Sequence, residues 1–160
     1  MTPESRLKLS EMHHVSIVVR DLDRTIEYYT KTFGWGPFRT REIKQDGVLF
    51  NGRQVSWRQR LAFGKAGSLE LELIQTVEGE TPHTEFLREK GEGIHHICFR
   101  VDDLGAVLAE LAKDGVKPVC QKSQAEFAFA YLQSNNFGGV MLELIELRQP
   151  PGSAERERQS

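Results

Sequence analysis

The sequence predicts an α+β fold built from two copies of one βαβββ module. The first observation behind this prediction is a repeat, since HHVSIVVRDL at 13–22 returns as HHICFRVDDL at 95–104. The second is that the tetrapeptide LELI occurs at 71–74 and again at 142–145, in the same order as the first pair. Two matched pairs in one order indicate the duplication of a unit of about 70 to 80 residues.

The first segment of each repeat alternates between two faces, which is typical of a β-strand. In the first copy, His14 and Ser16 share one face, and the opposite face is fully apolar. In the second copy, His96 and Cys98 occupy the matching positions. Because an apolar strand face packs against a helix, we expect each of these histidines to point away from the helix of its module.

An aspartate at the end of each first strand predicts the start of a helix. Asp21 can accept hydrogen bonds from the free amides of a helix that runs to about Phe33, where Gly34 ends it. Asp103 opens the equivalent helix of the second module, which we expect to end at Gly115. Both modules therefore begin with a strand followed by a helix.

Turn residues divide the remainder of each module into three further strands. The predicted strands lie near 38–44, 54–63 and 68–75 in the first module and near 117–121, 128–134 and 140–147 in the second. Between the modules, the segment PHTEFLREKG predicts a short helix.

The repeats also predict how the chain is divided. We expect a single domain over residues 12–148, with modules at about 12–77 and 94–148, and flexible ends at 1–11 and 149–160. The N-terminus lacks the apolar stretch of a signal peptide, and no apolar run approaches the ~20 residues that span a bilayer. The prediction is therefore a cytoplasmic protein without a membrane partner.

The charge of the chain is unevenly distributed. A net charge of −2 gives no reason to expect a nucleic-acid partner. Between positions 39 and 65, however, seven basic residues stand against two acidic ones, Glu42 and Asp46. The basic residues are Arg39, Arg41, Lys44, Arg53, Arg58, Arg60 and Lys65. This excess could attract an anionic small molecule, and the alternative is a solvated, positively charged loop and strand face.

Each module offers one histidine from its first strand and one glutamate from its last. In LELELIQ, Glu70 and Glu72 share the face away from the helix, and Glu143 in VMLELIEL occupies the matching place of Glu72. Because burying unpaired carboxylates is costly, their repetition favours a cation site. Four nitrogen and oxygen ligands suit one divalent ion, such as Co, Zn, Ni, Mn or Fe. The predicted metal ligands are His14, Glu72, His96 and Glu143.

The double histidines leave the register of this site open. Strand alternation selects His14 and His96 and places His13 and His95 on the helix side. A bulge at the start of a strand would shift this choice by one residue. His13 and His95 therefore remain the alternative ligands.

These motifs resemble the vicinal oxygen chelate superfamily, which includes glyoxalase I, methylmalonyl-CoA epimerase, extradiol dioxygenases and bleomycin resistance proteins. The resemblance covers about residues 12–148, and HHVSIVVRDLDRTIEYYTKTFG, GEGIHHICFRVDDL and GGVMLELIE are most similar to methylmalonyl-CoA epimerases. It implies a half-open mixed β-barrel with the helices outside, a homodimer, and one divalent metal ion. The ligand positions of the family fall on the same four residues, His14, Glu72, His96 and Glu143.

The resemblance also implies a reaction through an enolate, carried out by a metal-dependent epimerase or isomerase on a small acyl-CoA or thioester such as methylmalonyl-CoA. A divalent ion at the carbonyl oxygen stabilises the enolate, and a carboxylate removes the neighbouring proton. By resemblance, Glu143 is both a ligand and a base. The strand that matches the other base, WRQRLAF at 57–63, contains no carboxylate, so Glu70 is a possible substitute.

The same strand supplies candidate substrate-binding residues, Arg58, Gln59 and Arg60. The two arginines would suit an anionic head of the substrate, such as a carboxylate or a CoA phosphate.

Other functions use related sites. A glyoxalase I-type enzyme would place the same four ligands around a hemithioacetal, an extradiol dioxygenase needs two histidines and one glutamate with iron, and a non-catalytic resistance protein usually lacks the full set of ligands.

Overall fold

The computed structural model describes residues 7–9, 11–133 and 138–148. The predicted flexible ends lie outside the described residues, apart from 7–9 and 11, and so does the last residue of the strand predicted at 128–134. Leu9 packs against the apolar cluster beneath the helix of the second module. No helix in the described part of the chain is long and apolar enough to cross a membrane.

The predicted order of elements occurs twice in the described residues. The first module consists of β1 (Met12–Val18), α1 (Leu22–Phe33), β2 (Arg39–Phe50), β3 (Arg53–Ala66) and β4 (Leu69–Glu78). The connecting helix is α2 (Pro82–Lys90). The second module consists of β5 (Gly93–Arg100), α3 (Leu104–Ala112), β6 (Pro118–Ser123), β7 (Phe127–Leu132) and β8 (Met141–Leu147). The βαβββ order of both modules is thus confirmed.

The eight strands form a ring in the order β1-β4-β3-β2-β6-β7-β8-β5. The pairs β1–β4 and β5–β8 are parallel and the other pairs are antiparallel, so the predicted mixed barrel is confirmed. The modules join broadly along β1–β5 but pair at β2–β6 through only two residues of each strand, Leu49–Phe50 and Cys120–Gln121. The barrel is therefore closed rather than half-open, and this narrow seam is its shortest ladder.

Strand β2 is longer than the predicted segment 38–44. Gly47 does not end the strand, because the ladder to β3 shifts its register between Gln45 and Val48 and then continues. The turn comes instead at Asn51 and Gly52, both with positive φ. A bulge thus absorbs the glycine that the sequence alone marks as a turn.

The helices begin as their caps predict and cover the outside of the barrel. Asp21 accepts a hydrogen bond from the amide of Arg24 at 3.0 Å, and Asp103 accepts one from Ala106 at 2.8 Å. Gly34 ends α1 in the left-handed conformation, whereas α3 ends at Ala112, before the predicted Gly115.

The strand FAFAYL of β7 shows how the barrel divides its side chains between two faces. Ala128 and Ala130 pack outward against α3, where small side chains let the helix approach. Phe129 and Tyr131 point inward and join a second apolar cluster around Trp57. The inner face of the barrel is therefore lined by large side chains, except where the histidines and glutamates of the first and last strands replace them.

Candidate metal centre

Four side chains from four strands meet inside the barrel. The Nε2 atom of His14 lies 3.2 Å from Glu72 Oε2 and 3.5 Å from Glu143 Oε2. The Nε2 atom of His96 lies 3.5 Å and 3.0 Å from the same two oxygens. The two Nε2 atoms are 3.3 Å apart. All four residues are buried, so one nitrogen or oxygen of each converges on a common point away from solvent.

The strand register explains this convergence. In the antiparallel pair β1–β5, His14 faces Cys98 and Ser16 faces His96. In the parallel pairs, Ser16 faces Glu72 and Cys98 faces Glu143. Each module therefore repeats one arrangement, in which the residue two positions after the histidine lies beside the glutamate. An approximate twofold relation between the modules brings the four side chains together.

The distances fit a divalent ion. Two ligands that are each ~2.1 Å from one ion lie roughly 3.0 Å apart in octahedral and roughly 3.4 Å apart in tetrahedral geometry. The four histidine–carboxylate separations and the separation of the two Nε2 atoms run from 3.0 to 3.5 Å. Two imidazoles and two carboxylates also suit a transition-metal ion, and the two negative charges would balance it.

The electrostatics of the cluster also favour a cation. Burial opposes the charged form of His14, but hydrogen bonds to Glu143 and Glu72 and their negative charges raise its pKa to about 10. For Glu72 and Glu143, burial acts in the opposite direction, and the hydrogen bonds and charges of the two histidines hold the pKa of both carboxyls below the usual value. The pair of carboxylates therefore stays ionised and attracts positive charge.

The neighbouring histidines take a different position. The Nδ1 of His13 lies 2.8 Å from Nδ1 of His14, and the Nδ1 of His95 lies 2.9 Å from Nδ1 of His96. The structure thus brings His14 and His96 to the carboxylates, and places each neighbour at the opposite ring nitrogen, where second partners of metal-bound histidines bind. The register of β1 on β5 shifts between Met12 and His14, which is an irregularity of the kind that could have moved the ligand position by one residue. His14 nevertheless faces the carboxylates.

Other groups of candidate ligand atoms share these histidines. One contains His83, His95 and His96, and another contains His13, His14 and Cys98. Neither includes a carboxylate, and burial raises the pKa of the Cys98 thiol well above its usual value. The third group, His14, His96 and Glu143, contains a carboxylate, and Glu72 lies within 3.5 Å of both of its histidines. This group therefore fits a divalent ion better.

His14, Glu72 and Glu143 line the floor of a cavity of about 430 Å³, and His96 is fully buried next to them. Its walls come from the inner faces of β2 and β3 on one side and of β7 and β8 on the other. Gln59, one of the three predicted substrate-binding residues, is buried in this wall. Its Nε2 lies 2.9 Å from Nδ1 of His83 and 3.2 Å from Oγ1 of Thr76.

His83 also enters the site, although no pattern in the sequence predicts it. It lies in the first turn of α2, two positions after the cap Thr81, which accepts hydrogen bonds from the amides of His83 and Thr84. Its Nε2 lies 3.3 Å from the hydroxyl of Tyr131, and burial, assisted by the charge of His96, lowers its pKa to about 3. A neutral imidazole at this place is a polar group of the cavity wall. A helix of nine residues offers too short a pattern to reveal which side chain enters the barrel.

Two of the predicted substrate-binding residues lie elsewhere. Arg58 and Arg60 project from the outer face of β3, because the inner face is taken by the alternate positions Trp57 and Gln59. Arg58 pairs with Glu42 at 3.0 Å. Arg60 donates two hydrogen bonds to Asp23 in the first turn of α1, at 2.8 and 2.9 Å. The structure therefore does not bring either arginine to the cavity.

Glu70, the predicted substitute base, lies at the mouth of the barrel rather than in this cavity. It pairs with Lys65 and lines a separate groove. Glu143 and Glu72, by contrast, both line the cavity itself.

Several known proteins resemble this chain. A sequence profile of the glyoxalase/bleomycin resistance protein/dioxygenase superfamily matches residues 13–132. Mitochondrial methylmalonyl-CoA epimerase from Mus musculus is 25% identical over 154 residues, covering 89% of this chain and 80% of the relative. Its Homo sapiens counterpart is 25% identical over 140 residues, covering 85% and 73%. A variant of Streptomyces coelicolor methylmalonyl-CoA epimerase, solved in complex with 2-nitronate-propionyl-CoA, is 26% identical with a TM-score of 0.67, covering 89% of this chain and 100% of that chain.

Proposed function

Because the chain belongs to the glyoxalase/bleomycin resistance protein/dioxygenase superfamily, we propose that it is a metal-dependent epimerase acting on a small acyl-CoA such as methylmalonyl-CoA. The observation that carries this proposal is that His14, Glu72, His96 and Glu143 meet inside the barrel, where all but His96 line the cavity. The likeness to epimerases, one of them solved with an acyl-CoA analogue, supports this substrate class.

The chemistry requires a stabilised negative charge on the thioester carbonyl oxygen. A divalent ion held by the four residues would supply that stabilisation. Glu143 takes the second role that the family resemblance implies and accepts the proton from the carbon next to the carbonyl, and a second acid must return a proton to the opposite face to complete the inversion. Glu143 is placed for this role because it lines the cavity. The profile match ends at residue 132, so Glu143 is supported by the repeat and by its geometry.

The wall above the cluster keeps water away from the reacting atoms. Leu61, Phe127 and Phe129 form much of it, and exclusion of water strengthens the electrostatic interactions at the floor. Polar groups enter this wall at Gln59 and His83. They give the substrate hydrogen-bonding partners without adding a charge to the site.

The proposal is tested by incubating the protein with methylmalonyl-CoA in deuterium oxide after loading it separately with Co, Zn, Ni, Mn or Fe. We expect exchange of the α-proton that depends on the ion and is lost on chelation. Glu143→Gln should lower the exchange rate by ~100-fold or more even at saturating metal, since a positioned base contributes about that factor. Glu72→Gln is the matched control, because it loses an equivalent carboxylate ligand but no base.

Two outcomes would contradict this assignment. Turnover of a methylglyoxal–glutathione adduct without α-proton exchange would identify a glyoxalase-type enzyme. Metal binding with neither activity would identify a binding protein. The homodimer implied by the resemblance stays a prediction, which light scattering on the purified chain tests.

A further inference from the structure

We propose that Arg39 and Arg41 form an anion subsite at the mouth of the barrel. This subsite would hold a carboxylate or phosphate group of the ligand while another part of the same ligand reaches the metal centre. The identity of the ligand rests on the proposed function, whereas the subsite itself rests on the geometry and charge of the mouth.

The two arginines continue the inner face of β2 toward the opening. Ile43 and Gln45 line the central cavity, Arg41 comes next at the same alternation, and Arg39 lies one step further out. A groove of about 550 Å³ begins at this point, and Arg41 lines both the groove and the cavity. His13 and Phe63 line both spaces as well, so the groove adjoins the cavity and leads to it.

A single aromatic ring separates Arg41 from the metal centre. The guanidinium of Arg41 lies 5.3 Å from the centroid of the Phe63 ring. The Phe63 ring in turn packs edge-on against His14, with 5.7 Å between the centroids. This cation–π contact holds the guanidinium beside the ring, and no ion pair among the described residues engages its N–H groups. One ligand can therefore contact both Arg41 and the floor of the cavity.

The metal centre on its own has little attraction for an anion. The carboxylates of Glu72 and Glu143 balance the charge of a divalent ion when both histidine ligands are neutral. A substrate that carries a carboxylate or phosphates must therefore find positive charge elsewhere in the site.

The groove supplies that charge. Its cations are Arg39, Arg41 and Lys65, and its carboxylates are Glu11 and Glu70. Both carboxylates already face other partners, since Glu70 pairs with Lys65 and Glu11 lies 3.9 Å from an arginine of β5. Within residues 7–9, 11–133 and 138–148, neither Arg39 nor Arg41 has an ion-pair partner. Two unpaired guanidiniums thus flank the route to the metal centre.

The basic residues on the outside of the same sheet behave differently. Lys44 pairs with Asp46 at 3.5 Å, Arg58 pairs with Glu42, and Arg60 pairs with a carboxylate of α1. Of the basic residues between positions 39 and 65, three are therefore paired on the outer face and Lys65 is paired at the mouth. In the described part of the chain no ion pair involves Arg39, Arg41 or Arg53, and only Arg39 and Arg41 of these three line the groove at the mouth.

The subsite is tested by isothermal titration of the metal-loaded protein with two probes, free CoA and methylmalonate. CoA carries the phosphates without the acyl carboxylate, and methylmalonate carries carboxylates without phosphate. We expect Arg39→Gln and Arg41→Gln each to weaken the binding of at least one probe by roughly 10-fold, the scale of a lost hydrogen bond to a charged group. Lys44→Gln is the matched control, because it removes one positive charge from the outer face of the same strand.

The two probes identify the anion. Selective weakening of CoA binding assigns the subsite to phosphate, and selective weakening of methylmalonate binding assigns it to carboxylate. The proposal is overturned if the arginine variants bind both probes as the Lys44→Gln variant does, or if the unsubstituted protein binds neither. Because the readout is binding, failure of the α-proton exchange assay would reject the proposed reaction and leave this result intact.

Discussion

The first module reaches the candidate metal centre through His14 and Glu72, and the second module reaches it through His96 and Glu143. The two contributions are equivalent in register, since the residue two positions after each histidine lies beside the glutamate of the same module. The antiparallel pairing of β1 with β5 then joins the two halves about an approximate twofold axis. Neither module alone supplies more than two ligands.

The modules differ in the strands that stand above this centre. Strands β2 and β3 have 12 and 14 residues, whereas β6 and β7 have 6 each. The long strands carry Arg39 and Arg41 to the mouth, and the short strand β7 contributes the apolar side chains of Phe127 and Phe129. The repeated register thus builds the candidate metal centre, whereas the middle strands, which differ between the modules, line the mouth and the wall of the cavity.

The largest expected effect comes from removing one histidine of either module. His14→Ala and His96→Ala should weaken metal binding equally and by about 100-fold or more. Loss of a residue that only hydrogen-bonds to a metal ligand already lowers metal affinity by ~10–100-fold, so loss of the ligand itself should lower it at least as much. Metal content after dialysis against a competing chelator measures the effect. A large difference between the two variants would show that the modules do not contribute equally, and unchanged content in both would refute the site.

Metal binding should also depend on pH. Since the carboxylates raise the pKa of His14 to about 10, this imidazole is protonated near pH 7 when no ion is bound, and an ion must displace that proton. Metal affinity should therefore rise as pH increases toward 10, because above that pH the imidazole of His14 is already deprotonated before the ion binds. Calorimetric titrations with metal in buffers of different ionisation enthalpy should show release of at least one proton per ion at pH 7. Binding without proton release would contradict the coupled cluster.

A smaller effect is expected at the mouth, where Glu70 offsets the charge of Lys65. Glu70→Gln should lower the KM for an anionic acyl-CoA by up to ~5-fold, the scale of a partly exposed ion pair, because it frees a positive charge in the groove. Steady-state kinetics separate this effect on KM from the role of catalytic base, which the sequence predicted for Glu70. A base would be revealed by a fall in kcat of ~100-fold or more, with little change in KM.

Local periodicity predicted much of the site. The alternation in LELELIQ and VMLELIEL selected Glu72 and Glu143, and the structure brings both to the two histidines. The same alternation in WRQRLAF places Arg58 and Arg60 on the outer face, opposite Trp57 and Gln59. Their prediction as substrate-binding residues was wrong because it relied on their positive charge and not on this alternation.

Other features depend on tertiary packing and have no local pattern. His83 reaches the cavity because α2 packs against β5, β1 and β4, which brings its first turn to Tyr131 and Gln59. The extension of β2 past Gly47 depends on its ladder with β3. In both cases the contacts join residues that are distant in sequence, so their outcome could not be read from a short segment.

The smallest effect tests the twofold relation at its centre, where Ser16 of β1 and Cys98 of β5 occupy equivalent positions. The hydroxyl of Ser16 is buried without a hydrogen-bonding partner in the described part of the chain, whereas the thiol of Cys98 interacts with Glu143. Ser16→Cys should therefore raise the free energy of unfolding by up to about 1 kcal/mol, because it replaces an unsatisfied hydroxyl with a group that is less costly to bury. Urea denaturation of the metal-free protein measures the change. Ser16→Ala is the control for volume, and a loss of stability in both variants would show that the hydroxyl binds a partner, which would end the equivalence of the two modules at this position.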